Sequence, residues 1–185
     1  MPYLLPAASY RVATAGKPAR ARNVSRLALL ALALLMTLPA TGAAAEACPW
    51  LNAATAGGFL GGPVTDVAVK RAKTGEDGNC DFFRRQGPLV YELRIETETL
   101  AARGGFAEYA ARCHGAGAPL KAIGNEALAC HDDAGAEGGL RELVVGRVRD
   151  RIFLVRISTN DGAAEQSVLR EKARKVAEQV AGILF

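Results

Sequence analysis

The clearest pattern along the chain is an alternation over 88–98, PLVYELRIETE. Leu89, Tyr91, Leu93 and Ile95 fall on one side, and Val90, Glu92, Arg94 and Glu96 on the other. Period-two patterning predicts a strand with one buried and one wet face. The period then changes. In GGFAEYAARC (104–113), Phe106, Tyr109, Ala110 and Cys113 stand at i, i+3, i+4 and i+7, one face of a helix. The last stretch, NDGAAEQSVLREKARKVAEQVAGILF, keeps the helical period longest. Leu169, Ala173, Val176, Ala177, Val180 and Leu184 form its inner side, with Asp161 as the expected N-cap. Glu171–Lys175 and Arg174–Glu178 add i, i+4 pairs on its outer side.

Shorter elements fill the rest. Asn52 caps a predicted helix over 53–60, which Gly57 and Gly58 weaken. Strands are predicted over 64–69 and in CDFFRRQG, separated by the turn KTGEDGN. LKAIGNEALAC reads as strand, turn at Gly124-Asn125 and strand, and HDDAGAEGG as a loop. LRELVVGRVRDRIFLVRIST reads as two strands around a tight turn at Arg149-Asp150. The order is helix, strands, helix, strands, helix. Short turns between neighbours predict a mainly antiparallel sheet with amphipathic helices on one or both faces, an α+β sandwich.

The N-terminal part follows another logic. Arg11, Lys17, Arg20, Arg22 and Arg26 precede the apolar run LALLALALLMTL, and small residues ending TGAAAEA follow. That order is a secretory signal, with cleavage expected after Ala45 and one globular domain over 46–185. VSRLALLALALLMTLPATGAAA would be a complete signal by itself, so translation could start near Val24, leaving 1–23 untranslated. Two alternatives compete. An uncleaved anchor is disfavoured because Pro39 and Gly42 shorten the strongly apolar part. Acylation of Cys48 is disfavoured by Glu46 in the residues before it.

Without the leader the electrostatics change. Eighteen Lys and Arg remain against 19 Asp and Glu, a net charge near −1 instead of +4. Nucleic-acid binding loses its composition argument. A membrane partner is expected only through an uncleaved leader. A domain over 46–185 is long enough to bury a core without a metal.

All four cysteines, Cys48, Cys80, Cys113 and Cys130, lie in the domain, and an even count in an exported chain reads as disulfides. Cys113 ends a helix and Cys130 ends a strand. The expected pairs are Cys113–Cys130, a staple of about 3 kcal/mol in the chain-entropy model, and Cys48–Cys80, which ties the first helix to the sheet.

The two histidines follow cysteines, in Cys113-His114 and Cys130-His131. A zinc reading has ligands of the right types. However, adjacent residues diverge on a strand and lie about 100° apart on a helix, so neither pair chelates one ion well. His114 and His131 are therefore expected to be surface neighbours of a staple. A metal site from His114, His131, Asp132 and Asp133 is the alternative.

Other chemistry is thin. Ser158 and Ser167 lack a G-x-S-x-G context, and there is no C-x-x-C motif. Glu92 and Glu96 could form an acid/base pair, though a solvated strand face is the simpler reading. Arg147, Arg149 and Arg151 flank a hairpin tip and are weak anion-binding candidates. No catalytic residue and no cofactor is expected.

CPWLNAATAGGFLGGPV, the second cysteine in GNCDF, AIGNEALAC, a hairpin and a terminal helix together resemble exported bacterial domains of unknown function with a PsbP-like fold. Gly57-Gly58 departs from the usual helix former there. The resemblance implies that α+β fold, an exported location and a binding or assembly role, and it carries no catalytic residues. Two function classes follow. One is an exported non-catalytic binding or accessory module whose partner is an unknown protein or small molecule of the cell envelope. The other is a metal-binding protein or metal-dependent hydrolase using the Cys-His/Asp-Asp loop.

Overall fold

The computed structural model describes residues 47–71, 77–100, 105–115, 117–132 and 139–185. The leader, its cleavage site, most of the KTGEDGN turn and Asp133 lie outside the described residues.

Among the described residues, seven strands form one antiparallel sheet. In chain order they are β1 (Asp66–Arg71), β2 (Gly78–Gln86), β3 (Leu89–Thr99), β4 (Ala118–Pro119), β5 (Glu126–His131), β6 (Leu140–Val148) and β7 (Arg151–Thr159). Their spatial order is β1-β2-β3-β7-β6-β5-β4. Two meanders, one from each half of the chain, thus meet along β3 and β7. The helices are α1 (Ala53–Leu60), α2 (Phe106–Ala110) and α3 (Gln166–Leu184). The expected α+β architecture is present.

The main core lies between the sheet and α1 plus α3. Leu93 and Ile95 of β3 and Phe153 and Val155 of β7 pack with Leu169, Ala173, Val176, Ala177 and Val180 of α3. The inner side read from the sequence is the buried one, with Leu184 only half-buried. β6 and β7 run through the middle of the sheet and bury side chains on both faces, so they show little alternation. Gly146 opposes Phe153 in the ladder, where a Cβ would stand 2.2 Å from the ring. A side chain there would displace the aromatic from the core.

A smaller cluster occupies the other face. Leu143, Val145, Ile152 and Leu154 pack with the bridged Cys113 and Cys130, and Phe106 and Tyr109 of α2 lie over them. The pairing is Cys48–Cys80 and Cys113–Cys130, with Cα separations of 5.9 Å and 5.5 Å. Disulfides persist in oxidising compartments, so the bridges point to an extracytoplasmic setting. Among the described residues no helix is long and apolar enough to cross a membrane.

Several local expectations are corrected. The first strand starts at Asp66 rather than Val64. The segment before Gly124-Asn125 is not a strand: Ala122 and Gly124 both have positive φ, so the chain turns back and drops Ile123 into the core. Its partner to β5 is the two-residue β4. The second helix ends at Ala110, before Cys113. Asp161 does not cap α3. The helix starts after Glu165, and the Asp161 carboxylate is held by other groups. The N-cap of α1 is as read, since the Asn52 side chain accepts from the Thr55 N–H at 2.8 Å.

Candidate functional site

Four segments converge beside the N-terminus of α3: the end of α1, the paired residues Arg84 of β2 and Tyr91 of β3, the β7–α3 connection, and the first turns of α3. Each is brought there by an identifiable local cause. Gly61 ends α1 in the left-handed conformation at φ 79. Arg84 then donates to the Leu60 carbonyl at 3.1 Å, a cation at a helix C-terminus. The guanidinium also lies 4.6 Å from the centre of the Tyr91 ring and bonds Gln86.

The exit from β7 is clipped to the β2–β3 turn. The Asn160 side chain accepts from the Val90 N–H at 2.7 Å and donates to the Pro88 carbonyl at 3.0 Å. Asp161 follows. One carboxylate oxygen accepts from the Tyr91 hydroxyl at 2.6 Å, and the other accepts from the Ala163 N–H at 2.9 Å. The Tyr91 bond, then the Ala163 bond, holds the Asp161 carboxyl below its usual range. The same bond to Asp161, followed by desolvation, raises the Tyr91 phenol.

Together these enclose a cleft of about 330 Å³. Phe59, Leu60, Val168 and Leu169 give it apolar walls, while Arg84, Asp161, Glu165 and Lys172 bring charges of both signs to its lining. Apolar walls with a few convergent polar groups are the usual form of a small-molecule site. Sequence reasoning placed Tyr91 in the core and Asp161 at a cap. It missed Arg84 and Lys172, because no local motif joins positions so far apart in the chain.

The residues singled out by the sequence scatter. His114 and Asp132 line a second cleft, on the face of the small cluster, with Arg112, Arg141 and Arg156. Asp132 is buried there and accepts from Arg156 Nε at 2.9 Å. His131 does not share that cleft. Strand alternation sends it to the α3 face, where Nδ1 stands 3.5 Å from buried Glu142, itself bonded by Arg170 at 3.1 Å. His131 is thus half-buried, not the surface neighbour expected. Asp133 lies outside the described residues. Among the described residues no group of three or more His, Cys, Asp or Glu is placed to hold a metal ion.

Glu92 and Glu96 do share a strand face, but Arg94 lies between them at 3.8 Å from each and also bonds Asp81. That arrangement is an ion-paired row rather than a free carboxylate pair. The hairpin arginines do not converge. Arg147 pairs with Glu126, Arg151 pairs with Asp77 at 3.1 Å, and Arg149 is exposed at the tip. No known family model matches the chain, and no curated protein matches it significantly.

Proposed function

We propose that the chain is an exported, non-catalytic binding or accessory module whose ligand site is the cleft between the end of α1 and the start of α3. In this reading the leader is cleaved near Ala45, the domain acts in the periplasm or outside the cell, and the fold is of the PsbP-like kind. The ligand is a small amphipathic molecule of the envelope, free or presented by a protein. The observation that carries the reading is the cleft itself, where an apolar lining is combined with Arg84, Lys172 and Asp161 contributed by three elements. The two disulfides support export. The metal-dependent alternative lacks comparable support, since His131 and Asp132 point to opposite faces of the sheet.

The probe for the test is 1-anilinonaphthalene-8-sulfonate, an anionic aromatic of suitable size. It is expected to bind saturably to the oxidised domain. Val168 is partly exposed and lines the cleft, so Val168→Trp fills it without opening the core. Affinity should fall about tenfold, equivalent to about 1.4 kcal/mol. Equal binding to wild type and Val168→Trp would remove the cleft as the site.

A further inference from the structure

The two edges of the sheet differ. One is β4, two residues long and ending in Pro119, which cannot donate to a further strand. The other is β1, six residues long and exposed at every position but Val69, whose strand partner among the described residues is β2 alone. Val67 on this edge is 43% exposed. We propose that β1 pairs antiparallel with β1 of a second copy about a two-fold axis at Ala68, joining two sheets into one.

The ladder fixes which backbone groups are available. Leu100 N donates to the Asp150 carbonyl and Asn160 N to the Val90 carbonyl, so even positions of β3 face β7 and odd positions face β2. The β2–β3 and β1–β2 registers run without interruption. Even positions of β1 therefore face β2, and the N–H and C=O groups of Val67 and Val69 point away from the sheet. A second copy must match outward groups with outward groups, which permits only axes passing through a residue.

Among those axes, charge selects one. Centred on Ala68, Asp66 of each copy lies opposite Lys70 of the other and Val67 lies opposite Val69, two complementary pairs that each occur twice, with the small Ala68 facing itself on the axis. Centred on Val67, Asp66 meets Ala68. Centred on Val69, Val67 meets Arg71. Centred on Lys70, two lysines meet, and directly opposed like charges destabilise a strand pair. A lysine on an edge strand ordinarily discourages self-pairing. Here it comes opposite an aspartate.

Sedimentation velocity on the mature oxidised chain tests the proposal, from low micromolar to several hundred micromolar. A reversible dimer is expected. Val67→Pro deletes an outward N–H and leaves the bonds to β2 in place, so it should weaken the dimer at least about tenfold with an unchanged circular dichroism spectrum. Asp66→Lys should weaken it similarly by facing Lys70 with a like charge. Adding Lys70→Asp should restore it. If Val67→Pro impairs folding, the two charge variants decide the matter alone. A monomer at every concentration overturns the proposal, as does a dimer indifferent to Asp66→Lys or a double variant that fails to recover.

Discussion

The two faces of the sheet are held in different ways. On one, a 19-residue helix lays six buried residues on the sheet, and apolar area does most of the work. On the other, the covering helix has five residues and buries none of them completely. That layer relies on the Cys113–Cys130 bridge, a small apolar cluster, and ion pairs such as Arg112 with Glu96 and Arg156 with Asp132. A long amphipathic segment can hold its face by burial alone. A short one needs covalent and charge-based fastening, and the Cys113–Cys130 bridge stands where the area is smallest, while Cys48–Cys80 ties the chain before α1 to the main core.

The largest effect that separates the faces is expected at Phe153, fully buried beneath α3. Phe153→Ala should cost about 3–5 kcal/mol in equilibrium denaturation. A loss below about 1 kcal/mol would show that the helical face does not dominate. Next comes the bridge on the poorer face. Cys113→Ala with Cys130→Ala should cost about 3 kcal/mol. Hydrogen exchange should accelerate over 106–113 while amides of α3 keep their relative protection. Uniform acceleration across both faces would contradict the division of labour.

The smallest effect is electrostatic, beside the cleft on the helical face. The folded Asp161 carboxyl lies below its ordinary value of 3.8, first because of the Tyr91 hydroxyl and then the Ala163 N–H. A depressed value means that the stabilisation is present above the unfolded pKa and is lost as pH falls through the folded one. Tyr91→Phe should therefore be less stable than wild type at neutral pH, and the gap should close below about pH 4. Acid titrations of melting temperature that keep the gap constant would remove this linkage.

Much of the helical face was legible in the sequence. The alternation of Leu93 and Ile95 and the spacing of Leu169, Ala173, Val176 and Val180 report burial directly, because each residue's environment follows from its own element's period. The Arg149-Asp150 turn was legible for the same reason. What escaped was set by remote neighbours. Asp161 looked like a helix cap, but its carboxylate is taken by Tyr91, 70 positions away. The strand expected before Gly124 yielded to positive φ at Ala122, which no propensity for alanine signals. The cleft was invisible because Arg84, Tyr91, Asp161 and Lys172 belong to different elements. HDDAGAEGG reads as a loop, but β5 runs on through His131, so period two separates His131 from Asp132.

The division of the sheet into two meanders has a consequence for how the chain comes into being. Synthesis delivers the N-terminus first, and each bridge closes within its own half, Cys48–Cys80 in the first and Cys113–Cys130 in the second. Neither needs the other half to be present. The seam does, because β3 finds its second neighbour only when β7 emerges. Until then the longest strand of the sheet, Leu89–Thr99, is a sticky border of the nascent protein. Glu92, Arg94, Glu96 and Glu98 alternate along that border, and charges so placed discourage adhesion to other growing chains. The wet side of β3 thereby guards the interval between the two halves.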